Sequence, residues 1–243
     1  VKSLLIDADI IAYRIGFTAL KSSWGEQLAV STFHNTITEI CDTLNGTPSL
    51  YFTGRGPRYR EQFANEIPYK QSREGKERPL FLPEMTEYAF NAFPCCVSNS
   101  QWGEADDLIA CAAYKCASFD EYVVVTIDKD LNMIPGNHYN PVKKESFFMS
   151  KEDAYMFFFK QLLAGDKTDD IPGIKGIGLT RASKILKGCS DSPEKAFDRV
   201  LDTYSNHYSD LSEDEIATMI YNRANLLWLR RTHEEVWTPP IPE

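Results

Sequence analysis

The chain has 243 residues, 43% hydrophobic, 12% aromatic and 25% charged, enough material for one large domain or a domain with an appendage, and this excludes large-scale disorder. No apolar run reaches the length of a membrane span, the first residues read as a strand rather than a secretory signal, and the six cysteines (41, 95, 96, 111, 116, 189) lack zinc-ligand spacing or the density of a disulfide scaffold, so a reduced cytoplasmic protein with no membrane partner is expected. The formal net charge of −9 argues against a nucleic-acid partner unless many acids converge on bound cations, so the placement of charge matters more than its sum.

In chain order, Leu4-Leu5-Ile6 is a short apolar run that ends at Asp7. Helical periodicity follows over residues 27–44, and a β-rich run over 49–53. Residues 55–78 break the pattern: with Pro57 and Pro68 among them, Arg55, Arg58, Arg60, Lys70, Arg73, Lys76 and Arg78 stand against Glu61, Glu66, Glu74 and Glu77. A basic insertion after a strand end is where a loop gripping a phosphate backbone would sit, with Arg60 a candidate contact, although a solvated loop has the same composition. Helical patterns at 83–93 and 104–116 precede a β-rich run at 122–127, which ends at Asp128. Short apolar strands alternating with helices predict an α/β fold with a mostly parallel central sheet flanked by helices. In such sheets functional groups gather at the carboxyl ends of the strands.

From about residue 150 the pattern is helical. Ser150 and Asp153 form a capping pair for a helix over 151–164, the glycine-rich stretch 173–178 follows, and further helices are expected near 180–187, 193–206 and 213–231. The expected organisation is a first domain over 1–160, with a basic arch at about 55–80, and a helical region over 161–243.

Four acidic clusters stand far apart in sequence at junctions between elements: Asp7 with Asp9, Glu104 with Asp106 and Asp107, Asp128 with Asp130, and Asp166 with Asp169. Helix dipoles and turn chemistry account for single members. They do not account for all four falling where a parallel sheet would bring them together. Two carboxylates about 4 Å apart repel by roughly 4 kcal/mol at an effective dielectric of about 20, so such a gathering needs protons or cations. Oxygen-only ligands favour Mg2+ or Mn2+, and a pair of such ions suits in-line phosphoryl displacement. The histidines (34, 138, 207, 233) form no ligand spacing.

The segments LLIDAD (4–9), PYKQSR (68–73), GEADDLIA (103–110), TIDKDL (126–131) and GDKTDDIPGIKGIG (165–178) resemble, in order and spacing, the structure-specific 5′-nucleases. These are the flap endonucleases, the 5′-nuclease domain of bacterial DNA polymerase I and, closest in size, the 5′→3′ exonucleases of tailed phages. The resemblance implies a PIN-like catalytic domain followed by a helix–three-turn–helix region. It places Asp7, Glu104 and Asp106 around a first metal ion, and Asp107, Asp128, Asp130, Asp166 and Asp169 around a second. Lys70 and Arg73 match basic residues that reach the scissile phosphate. Tyr13 matches an aromatic that stacks on the terminal base, although an amphipathic helix could equally bury it. Relatives carry another aspartate at the end of the second strand, where this chain reads Tyr-Phe-Thr-Gly with Gly54 at the matching place; Asp9 is a candidate auxiliary ligand in compensation.

The glycine turn lacks the lysine-serine ending of a P-loop and fits a hairpin that lets Gly173, Gly176 and Gly178 bring backbone N–H groups to a DNA phosphate, with Arg181, Lys184 and Lys187 following. The resemblance adds a K+ ion there. The expected function is therefore a Mg2+-dependent 5′→3′ exonuclease or flap endonuclease acting on DNA with 5′ ends, nicks or flaps, in phage replication or recombination. The alternatives are a DNA-junction-binding protein with weakened catalysis, or a ribonuclease with a related acidic site.

Overall fold

Strand β1 (Lys2–Asp7) begins exposed and ends in four buried residues, and Asp7 then caps helix α1 (Ala8–Ser22) by accepting the Ile10 N–H at 3.2 Å. That single residue is both the strand end and the helix start. The computed structural model describes residues 1–54, 56, 59–65, 67–73, 75–99 and 104–240. Arg55, Arg58, Glu66 and Glu74 of the basic segment and Gly103 of the GEADDLIA motif lie outside them.

Two compact units emerge: Val1–Arg58, Lys76–Met149 and Arg231–His233 form the first, and Tyr59–Gly75, Ser150–Arg230 and Glu234–Glu243 the second. The expected boundary at 160 falls inside a helix, and part of the basic arch joins the second unit.

In the first unit, α2 (Glu26–Leu44) closes on Asn45 in the left-handed conformation, which asparagine tolerates, and leads into β2 (Gly46–Thr53). Helix α3 (Leu82–Ala92), β3 (Cys96–Asn99), α4 (Ala105–Lys115), β4 (Tyr122–Val125), β5 (Gly136–Asn140) and β6 (Glu145–Met149) follow. The sheet order is β3-β2-β1-β4-β5-β6, with the first five strands parallel and β6 antiparallel to β5. Every parallel strand therefore delivers its carboxyl end to one edge. Leu4, Ile6, Phe33, Ile37, Leu50, Phe52, Met85 and Val125 fill the core that α1, α2 and α3 share with the sheet. The α/β expectation holds; β3, β5 and β6 are additions to it.

In the second unit, α5 (Lys151–Ala164) starts where Ser150 accepts the Asp153 N–H at 2.9 Å, as the capping pair predicts. Strands β7 (Gly165–Asp166) and β8 (Ile171–Pro172) form a short antiparallel ladder, then α6 (Leu179–Ile185), α7 (Pro193–His207) and α8 (Glu213–Leu227) complete the unit. In its core Phe158 packs edge to face on Trp228 and tilted against Trp237, and the buried Tyr204 donates its hydroxyl to the Leu162 carbonyl at 2.7 Å. Gly173 has no room for a side chain, because a Cβ there would stand 2.1 Å from the Ala164 carbonyl carbon. No helix among the described residues is long and apolar enough to cross a membrane.

Candidate active site

The carboxyl edge of the first unit's sheet gathers acids from three segments. Asp7, at the end of β1, is 4% exposed, and its second oxygen accepts the Thr126 hydroxyl at 2.9 Å. Burial first, then the neighbouring Asp9, push its carboxyl up to about 7, with Asp128 adding to the rise. Asp9 lies in the first turn of α1 and accepts the Thr53 N–H at 2.6 Å; burial raises its proton affinity too. Thr53 in turn accepts the Ala105 N–H, the first of α4, at 3.3 Å. Glu104 is the N-cap residue of that helix, and Asp106 and Asp107 sit in its first turn, where the dipole favours them. Glu104 and Asp107 are buried. Beyond β4, the Asp128 N–H donates to the Thr126 hydroxyl at 2.9 Å, and Asp128 accepts the Asp130 N–H at 2.9 Å. Lys129 approaches Asp130 at 3.9 Å.

Among the described residues no three His, Cys, Asp or Glu side chains close around one point. The donors nevertheless fit a hard divalent cation: all are carboxylate oxygens, and a buried Asp7 beside Asp9 and Asp128 must take up either a proton or a cation.

In the second unit, Asp166 is 2% exposed and accepts the Thr168 N–H at 2.9 Å. Asp169 is paired with Arg73 and with Lys70 at 3.4 Å, while Ser72 donates its N–H to Asp170 at 2.7 Å. Lys70 and Arg73 thus share one partner, an acid that the resemblance assigns to the second metal ion.

Two expectations are corrected. Arg60 is no DNA contact in this fold: it is 4% exposed, donating to the Leu226 and Trp228 carbonyls at 3.0 and 2.7 Å. A guanidinium that saturates carbonyls at a helix end has no open face for a phosphate. The residue at the end of β2 that meets the acids is Thr53 rather than Gly54, since the strand closes one position earlier. Thr53 and Thr126 are site residues that sequence reasoning missed. A threonine that ends or follows an apolar strand run carries no signature of its own, so nothing in the sequence singled them out.

Tyr13 is 46% exposed, with Phe17 beside it at 6.3 Å, so it is no core aromatic. In the glycine turn, Gly176 has φ +83°, a conformation glycine adopts without strain, and Gly178 is the N-cap residue of α6. Arg181, Lys184 and Lys187 are exposed, and Arg181 donates to the Gly176 carbonyl at 3.3 Å.

The family described as 5′-3′ exonuclease, N-terminal resolvase-like domain, matches residues 2–157. The 5′-3′ exonuclease of Mycoplasmopsis pulmonis is 27% identical over 215 residues, spanning 83% of this chain and 71% of that protein. DNA polymerase I of Pseudomonas aeruginosa is 28% identical over 203 residues, but those are 76% of this chain and only 22% of the polymerase. Among solved structures, T5 5′-exonuclease with divalent metal ions (zinc) bound superposes with a TM-score of 0.63 at 15% identity, covering 93% of this chain and 99% of that one. The bacteriophage T5 flap endonuclease in a complex with DNA and metal ions gives 0.59 at 15% identity, covering 92% and 99%.

Proposed function

Since the chain belongs to the 5′-3′ exonuclease family, we propose that it is a Mg2+-dependent nuclease hydrolysing phosphodiester bonds near the 5′ ends of DNA. The observation that carries this reading is the buried Asp7, tied through one hydroxyl to the Asp128 turn and neighboured by Asp9, at the edge where a parallel sheet presents its chemistry.

Asp7, Glu104 and Asp106 would hold the first ion. Asp107, Asp128 and Asp130 would serve a second, and the motif resemblance assigns Asp166 and Asp169 to it as well. Bound there, divalent ions supply charge neutralisation at the scissile phosphate and activation of water. Lys70 and Arg73 would stabilise charge developing on the phosphate, exchanging Asp169 for it. Tyr13 offers its exposed ring to a terminal base. The glycine turn with Arg181 and Lys184 would hold the duplex backbone, with K+ at the turn, and the product would carry a 5′-phosphate. A role in phage replication or recombination rests on the motif resemblance.

The test is cleavage of 5′-labelled duplex, nicked and flapped DNA, and of RNA, with and without Mg2+, beside an Asp128→Ala/Asp130→Ala control. Mg2+-dependent DNA cleavage absent from the control is expected. Tight junction binding without cleavage would instead favour the junction-binding reading, for which Thr53 in place of an acid is the structural argument.

Lys184→Ala should weaken binding equally across DNA sequences and reduce the slope of log K against log salt by about one. Binding titrations at several salt concentrations check this, and an unchanged slope would remove Lys184 from the interface.

A further inference from the structure

Thr53 and Thr126 occupy equivalent places at the ends of two parallel strands. The Thr126 hydroxyl donates to Asp7 at 2.9 Å and accepts the Asp128 N–H at 2.9 Å. Thr53 holds Asp9 through its N–H at 2.6 Å, and its hydroxyl accepts the Ala105 N–H at 3.3 Å. Each threonine therefore ties one acid of the β1–α1 junction to the backbone that opens the next acid-bearing segment. For Thr126 that segment is the Asp128–Asp130 turn; for Thr53 it is the first turn of α4 with Asp106 and Asp107. The Thr126 hydroxyl donates and accepts at once, whereas at Thr53 the N–H holds the acid and the hydroxyl receives the first N–H of the next helix; β-branching restricts the rotamers of both.

We propose that Thr53 and Thr126 are positioning residues that fix the orientation and spacing of the carboxylates on the sheet edge. This rests on the metal-dependent reading above. Carboxylates that repel one another turn toward solvent unless something holds them, and these clips hold them in the geometry from which they take an ion. Neither threonine needs to touch the substrate.

The experiment compares Thr53→Val, Thr126→Val, Thr53→Ser and Thr126→Ser. Valine keeps the shape and removes the hydroxyl; serine keeps the hydroxyl. Mn2+ affinity of the full chain is read by electron paramagnetic resonance titration, and backbone amide exchange is read in EDTA. Each valine variant should lose about tenfold in Mn2+ affinity, while each serine variant stays within about twofold of wild type. Exchange should accelerate at Ala105 in Thr53→Val and at Asp128 in Thr126→Val. Valine variants that bind Mn2+ like wild type overturn the proposal. Equal losses in serine and valine overturn it too, since they trace the effect to methyl packing. If the wild type takes up no Mn2+, the metal reading falls, and the exchange measurement alone upholds or overturns the clips.

Discussion

Asp7→Asn should melt at a higher temperature than the wild type in EDTA at pH 8, yet gain nothing from Mg2+ and lose cleavage by on the order of a thousandfold, about 4 kcal/mol of transition-state stabilisation. The gain arises because the fold buries a carboxyl that burial, Asp9 and Asp128 all push toward protonation, up to about 7. In the unfolded chain the same group titrates near 3.9. A raised folded pKa contributes its stability in full below about 4 and loses it as pH rises through about 7. Asparagine cannot ionise, so the variant keeps at pH 8 what the wild type has lost, on the order of 4 kcal/mol or about 10 °C in the melting midpoint. The two proteins should converge near pH 4. Melting from pH 4 to 9 in EDTA and in Mg2+ measures all of this. A variant less stable than wild type at pH 8 would mean that protein groups already compensate the Asp7 charge, and the case for a cation there would collapse.

The parts of this fold legible in the sequence are those set by local chemistry. Leu4-Leu5-Ile6 and the run from Tyr122 are continuously apolar because they are buried on both faces, and a strand of that kind announces itself. Ser150 and Asp153 mark the start of α5 because the orphan N–H groups there need an acceptor. Strand β5 was not legible: Gly-Asn-His-Tyr-Asn carries its polar atoms inward, and His138 is buried only because Nε2 meets the Ile134 carbonyl at 2.7 Å and the ring stacks on Phe147. The acids of the candidate site were visible as clusters, and the sheet topology explains why Asp7 and Asp128 meet. What holds them was not visible, because Thr126 and Asp7 are 119 residues apart and a threonine after a strand has no special signature. Lys70 and Arg73 illustrate the same limit: their charge is plain in the sequence, but their pairing with Asp169 is a tertiary fact.

Arg60→Met should lower the melting midpoint by about 10 °C, on the order of 3 kcal/mol, and leave the salt dependence of DNA binding untouched. Periodicity carries the last helix toward residue 231, but α8 stops at Leu227, and the chain turns extended at Trp228. The carbonyls freed at that end lie in a buried place and need donors. Arg60 supplies them through Nε to Leu226 and Nη2 to Trp228. Around it, the Arg230 guanidinium lies 3.7 Å over the Tyr59 ring, the Tyr59 hydroxyl donates to the Glu235 carbonyl at 3.2 Å, and Phe63 packs against Tyr221 at 5.8 Å. The short 3₁₀ turn Tyr59–Phe63 is thereby stitched to the end of α8 within the second unit. Methionine preserves much of the aliphatic stem but donates nothing, so the two carbonyls are left without their cationic partner. The pattern should be the reverse of Lys184→Ala, which changes the salt slope and leaves melting within about 1 °C. Arg60→Met with native stability and a flattened salt slope would return this residue to the DNA interface and show that the guanidinium leaves its carbonyls when DNA binds.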